Sequence, residues 1–209
     1  MKLKRALTVK NVIDKKYKLL PFEAEWCDAF SQPEARGTWL IWGNSGNGKT
    51  NFVLQLIAEL VKYEKVLLNS REEGTSYSLQ QGLLKSGISE FENNLLIVNE
   101  DAHQLQARLQ KRNSPEIVVI DSFQYMQMNY RDYLQFSEAL DSKLKVFISH
   151  ADGKFPAGRS AKSVMYDADL KIYVEGYKAF SKGRYIGTTG QYTIWKEGAE
   201  AYWGEINDN

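Results

Sequence analysis

Eight consecutive residues carry the densest chemistry in the chain. Gly43-Asn44-Ser45-Gly46-Asn47-Gly48-Lys49-Thr50 satisfies the pattern G-x-x-x-x-G-K-[ST]. Phosphate oxygens need several donors converging from one side. A glycine-rich turn supplies them, because its backbone N–H groups can point inward where glycine tolerates positive φ and leaves room for the ligand. Lys49 has the reach and charge for the outer two phosphates of a nucleoside triphosphate. The Thr50 hydroxyl is a Mg²⁺ ligand by type. A helix opening near Lys49 would add the positive end of its dipole.

Two further acidic positions fit the same chemistry. Asp121 closes the run Glu116-Ile117-Val118-Val119-Ile120-Asp121, four β-branched residues ending in a carboxylate. A carboxylate at the carboxyl end of such a strand sits beside the phosphate loop and can hold the Mg²⁺ shell. Hydrolysis also needs a group to orient or deprotonate water. Ser70-Arg71-Glu72-Glu73 follows another strand, so Glu72 is the first choice for that base and Glu73 the second.

The elements that must position these residues are legible from the apolar pattern. Thr38-Trp39-Leu40-Ile41-Trp42 leads into the glycine-rich turn as a buried strand. Val53, Leu56, Ile57, Leu60 and Val61 follow at helical spacing. Strands are expected at 65–69, 95–98, 116–121, 145–149 and 169–174. Helices are expected at 78–85, at 101–111 with Asp101 as its cap, and at 131–140. Ser114-Pro115 breaks the second of these. The tail from 185 to 203 alternates and carries Gly187, Gly190 and Gly198, which predicts a terminal antiparallel hairpin or meander. Strands alternating with helices make an α/β fold with a mostly parallel sheet flanked by helices. Residues 1–36, with Pro21 and Pro33, read as a lead-in packing on the core, and 37–209 as the single domain.

Bulk properties narrow the classes. The chain has 209 residues, 43% hydrophobic and 25% charged, with a formal net charge of +1. That is ordinary for a globular domain and gives no global basic field for nucleic acid. One cysteine, Cys27, excludes an intramolecular disulfide and points to the cytoplasm. The basic start, with Lys2, Lys4 and Arg5, lacks the apolar run of a signal peptide. No apolar stretch is long enough to span a bilayer, so no membrane partner is expected.

Taken in order, these motifs resemble the RecA-like P-loop ATPases, with the RadA/Sms recombination proteins, the KaiC group and the DnaB-type helicases as the nearest members. The resemblance covers residues 37 to 195. It implies ATP and Mg²⁺ as ligands and assigns the catalytic base to Glu72. Val146-Phe147-Ile148-Ser149-His150 is similar to the strand ending in a polar sensor, which would make His150 the group that senses the γ-phosphate. Lys182-Gly183-Arg184-Tyr185-Ile186-Gly187-Thr188-Thr189-Gly190 resembles a stretch whose Lys and Arg enter the neighbouring subunit's ATP site. Lys182 and Arg184 would then act in trans, and the protein would be a homo-oligomer, ring or filament. Zinc-binding cysteines, a protease-like C-terminal domain and a helical N-terminal primase-binding domain, known in those relatives, have no counterpart here.

In RecA-like proteins two loops grip nucleic acid. The matching stretches are 122–131, with Phe123, Tyr125, Met126, Met128, Tyr130 and Arg131, and 151–162, with Lys154, Phe155, Arg159 and Lys162 between Gly153 and Gly158. Cations facing phosphates and rings stacking on bases suit single-stranded DNA. The expected role is therefore in recombination, repair or replication. A KaiC-like regulatory or scaffolding ATPase with a protein partner is the alternative. A monomeric nucleotide kinase is a third reading, for which no lid segment is visible.

Overall fold

The computed structural model describes residues 5–204. Lys2, Lys4 and the end of the core segment, residues 205–209, lie outside the described residues.

The apolar runs form the strands expected of them. β1 (Gly37–Gly43), β2 (Val66–Ser70), β3 (Leu95–Val98), β4 (Ile117–Asp121), β5 (Leu144–Asp152) and β7 (Leu170–Glu175) are parallel neighbours, in the order β3-β2-β4-β5-β1-β7. β8 (Lys178–Gly183) and β9 (Gln191–Thr193) extend the sheet antiparallel beyond β7. A two-residue strand, β6 (Phe155–Pro156), folds back on the end of β5. The fold is thus α/β, with a mostly parallel sheet and an antiparallel C-terminal hairpin.

Alternation along β1 splits the core into two layers. Trp39 and Ile41 face one way, among Ala29 and Phe30 of α2 (Ala24–Phe30), Phe52, Leu56, Ile57 and Leu60 of α3 (Lys49–Leu60), and Leu79 of α4 (Tyr77–Lys85). Leu40 and Trp42 face the other way. They meet Leu105 and Leu109 of α5 (Ala102–Leu109), Tyr133 and Phe136 of α6 (Tyr130–Ala139), and Ala161 and Val164 of α7 (Arg159–Asp167). Each fully buried large apolar side chain contributes about 1.5–3 kcal/mol. Asp101 caps α5 through Gln104 N–H at 2.9 Å, with Gln104 returning the bond. In the lead-in, α1 (Val9–Ile13) buries no residue, whereas Leu20 and Phe22 are fully buried in the first layer.

Three expectations are corrected. Residues 151–162 are not one flexible loop: β5 runs to Asp152, a hairpin turns at Gly153, and α7 begins at Arg159. Burial of Ala161, Val164 and Ala168 supplies the reason. The tail does not alternate to its end, because Lys196–Trp203 is a helix, α8, whose Gly198 and Ala199 are buried. Residues 122–131 are not an open loop either. A 3₁₀ turn, Phe123–Met126, buries Phe123, Met126 and Met128 in the second layer, and Tyr130 and Arg131 open α6.

Candidate functional site

Strand register brings the chemical residues to one end of the sheet. Gly43 is paired with His150 on one side and Val174 on the other, and Ser70 is paired with Asp121. β5 lies between β1 and β4, so His150 stands between the glycine-rich turn and Asp121. At Gly43 a Cβ would come within 2.3 Å of the Val174 carbonyl oxygen, so only glycine fits that pairing. Gly48 leads into α3 with φ of +88°, a left-handed conformation that glycine adopts without strain. Lys49 and Thr50 open α3, and Thr50 is exposed. The first N–H groups of the helix therefore face the turn, as an anion site requires.

The carboxylates gather beside this turn. The N–H groups of Arg71 and Glu72 donate to the Asp121 carbonyl at 2.7 and 3.2 Å, which hooks the end of β2 onto the end of β4. Burial raises the Asp121 carboxyl from its ordinary 3.8 to about 6. Glu72 and Glu73 push it the same way, while Lys49 pulls it down. His150 Nε2 lies 3.5 Å from Glu72 Oε2, with both side chains part-exposed. Glu73 instead accepts from Ser78 Oγ at 3.1 Å and from Ser76 Oγ at 3.4 Å. Of the two carboxylates, Glu72 is thus the one beside His150.

The sheet order and these strand ends can be compared with solved structures. A flagellar accessory protein, FlaH, from Methanocaldococcus jannaschii superposes with a TM-score of 0.60 at 13% identity, covering 84% of this chain and 90% of its own. A KaiC-like protein from Pyrococcus horikoshii OT3 superposes with a TM-score of 0.58 at 16% identity, covering 77% and 84%. The fold is RecA-like. No protein-family model and no curated protein sequence matches the chain, so the likeness lives in the backbone.

Within this RecA-like core the donor set fits a nucleotide with Mg²⁺. Ser122 Oγ, next to Asp121, is buried with no hydrogen-bond partner. Asp121 feels the negative charge of Glu72 and Glu73 against the positive charge of Lys49, a balance that a cation would ease. Among the described residues no three His, Cys, Asp or Glu side chains form a metal cage. A nucleotide-bound Mg²⁺ needs only one or two protein ligands beside phosphate and water.

Lys182 and Arg184 lie elsewhere. They sit at the end of β8 and just beyond it, where Gly183 is paired with Leu170 at the start of β7. That is the opposite end of the sheet from the glycine-rich turn of the same chain. Arg184 Nη1 donates to Asp169 Oδ1 at 2.8 Å while remaining 75% exposed. Lys182 Nζ stands 5.3 Å from the Tyr173 ring centroid.

Of the expected DNA contacts, Tyr125, Arg131, Lys154, Phe155 and Arg159 are exposed. Lys162 is part-buried, 6.0 Å from the Phe155 ring and 3.8 Å from Asp152. The Lys154–Phe155 hairpin lies beside the glycine-rich turn: Trp42 Nε1, at the end of β1, donates to the Lys154 carbonyl at 3.1 Å, and Asn44 Nδ2 donates to the Gly153 carbonyl at 3.5 Å.

Gln124 escaped the sequence reading. Its Nε2 donates to Ser149 Oγ at 2.8 Å and to the Ala157 carbonyl at 3.1 Å, and its Oε1 accepts from His150 N–H at 3.4 Å. A polar residue among the apolar ones after Asp121 was the available signal. A cavity of about 680 Å³ between α4 and β3 is lined by Tyr77, Leu83, Leu84, Ile88, Leu95 and Ile97. It is mostly apolar and neither Lys49 nor Asp121 lines it, so it is not the phosphate site.

Proposed function

We propose that the chain is a Mg²⁺-dependent ATP-binding and ATP-hydrolysing protein that works as a homo-oligomer in the cytoplasm. The observation that carries the reading is the convergence of Lys49, Asp121, Glu72 and His150 at one sheet end, with His150 3.5 Å from Glu72. Residues 43–50 hold the phosphates by backbone N–H, and Lys49 sits on the β- and γ-oxygens. Thr50 and Asp121 hold Mg²⁺, which when bound offsets phosphate charge. Glu72 orients the attacking water and accepts its proton, and Glu73 is the fallback. His150 senses the γ-phosphate through its contact with Glu72. Lys182 and Arg184, turned away from their own loop, serve the neighbour's γ-phosphate.

The test is turnover. Glu72→Gln is expected to bind ATP and barely hydrolyse it; normal turnover in that variant refutes the base. Mixing Lys49→Ala with Arg184→Ala subunits is expected to restore activity in the mixed sites. If mixed assemblies form and none recovers, the shared site is refuted.

The second reading concerns the partner. Exposed Lys154 and Phe155 beside the phosphate loop support single-stranded DNA, with a role in recombination, repair or replication. Burial of Phe123, Met126 and Met128 and a net charge of +1 support a protein partner and a KaiC-like regulatory role instead. Binding of a labelled single strand at low salt, with and without charge reversal at Lys154, Arg159 and Lys162, separates the two. No binding refutes the DNA role.

A further inference from the structure

Two segments distant in sequence are knitted to the phosphate loop. Gly176 N–H donates to Asn47 Oδ1 at 2.8 Å, and Tyr177 N–H donates to the Asn47 carbonyl at 3.1 Å. The Tyr177 carbonyl accepts from Ile194 N–H at 2.9 Å, and the Ile194 carbonyl accepts from Gln55 Nε2 of α3 at 3.2 Å. A Tyr177 ring carbon lies 3.0 Å from where a Cβ on Gly48 would stand. Tyr177 and Trp195 meet edge to face, 5.0 Å between centroids at 84°. Trp195 is 49% exposed. An open aromatic ledge thus borders the residue that heads α3.

Backbone strain is an independent observation at the same place. Gly176 and Tyr177 form the two-residue turn between β7 and β8, with φ of +53° and +58°. Such turns favour glycine or asparagine at both positions, and a tyrosine there is strained. Strain of this kind is kept where it serves a ligand. Tyr177 is only part-buried, so filling the core does not account for it.

We propose that the exposed Trp195 ring, held edge to face by Tyr177, forms the stacking platform for the base of the nucleotide whose phosphates occupy residues 43–50. This rests on the phosphate-loop reading above. Stacking rewards ring area rather than the pattern on a base edge. Purine nucleotides are therefore preferred over pyrimidine ones, and ATP and GTP bind comparably.

The experiment measures Mg²⁺-dependent binding of ATP, GTP, CTP and inorganic tripolyphosphate to the full chain by calorimetry. Trp195→Ala and Tyr177→Gly are each expected to weaken ATP on the order of tenfold or more, leaving tripolyphosphate unchanged. Tyr177→Gly removes the ring and the strain together, so it keeps the turn folded. ATP affinity unchanged in both variants overturns the inference. Equal losses for ATP and tripolyphosphate also overturn it, since the ledge then only props the loop. Failure of tripolyphosphate to bind the unaltered protein overturns the phosphate-loop reading and this inference with it.

Discussion

Asp121→Asn should stabilise the protein at neutral pH while abolishing its turnover. The Asp121 carboxyl is raised from 3.8 to about 6, first by burial and then by Glu72 and Glu73. At about 1.4 kcal/mol for each tenfold change, ionising it in the folded state costs about 3 kcal/mol. The sign follows from the raised value. Below 3.8 both states hold the proton and there is no penalty. Between 3.8 and about 6 the unfolded chain has released its proton and the folded one has not, so stability falls as pH rises. Above about 6 the loss is complete. Among the described residues the Asp121 side chain makes no hydrogen bond that asparagine would lose. The assay is the melting temperature of both proteins, without nucleotide or metal, from about pH 4 to about pH 7. For a chain of this size about 3 kcal/mol is roughly 6–12 °C. The variant should gain that much over the natural protein across the interval. A gap that stays flat, or closes as pH rises, refutes the argument.

Mg²⁺ with ATP should displace the Asp121 proton at about pH 6. Calorimetry in buffers of different ionisation enthalpy should show release of a fraction of a proton, absent in Asp121→Asn; no buffer dependence counts against it. Gln124→Ala should lower kcat several-fold with little change in ATP affinity, because one of the bonds holding the His150 backbone is lost while Lys49 keeps its place; an affinity loss as large as the rate loss would contradict this. Lys145 is buried and donates to the carbonyls of Leu140 at 3.0 Å and Ser137 at 3.4 Å, at the end of α6. Lys145→Met removes both of those ammonium bonds, leaving the Leu140 carbonyl with Lys143 N–H at 3.0 Å and the Ser137 carbonyl with Leu140 N–H at 3.3 Å; the loss should cost about 1–3 kcal/mol, and an unchanged denaturation midpoint would refute it.

The parallel strands and the phosphate loop were legible because each is a local pattern. Ile117 to Ile120 is β-branched throughout, and Gly48 and Lys49 sit where the loop geometry demands them. The helix α7 was missed although Ala161, Val164 and Ala168 keep helical spacing; Gly153, Gly158 and the charges around them drew attention to a loop instead. The tail helix was missed because Trp195, Tyr202 and Trp203 suit a strand by type, whereas Gly198 leaves the space in which the Trp195 ring lies against α8. Composition could not separate a stacking Phe123 from a packing one, since both uses reward the same ring. The approach of Tyr177 to Gly48 was beyond any local pattern: it depends on β7 pairing with β1, which spans most of the chain.

The two N–H donors of the Gln124 side chain are both engaged, by Ser149 and Ala157, and its oxygen accepts from His150 N–H. Its donors have no spare capacity to trade partners. A displacement of His150 must either break a bond or drag the Ala157 carbonyl, and with it the segment leading into α7. The amide therefore ties the end of β5 to the segment leading into α7, so a shift of His150 would be felt there as a shift in the pose of α7.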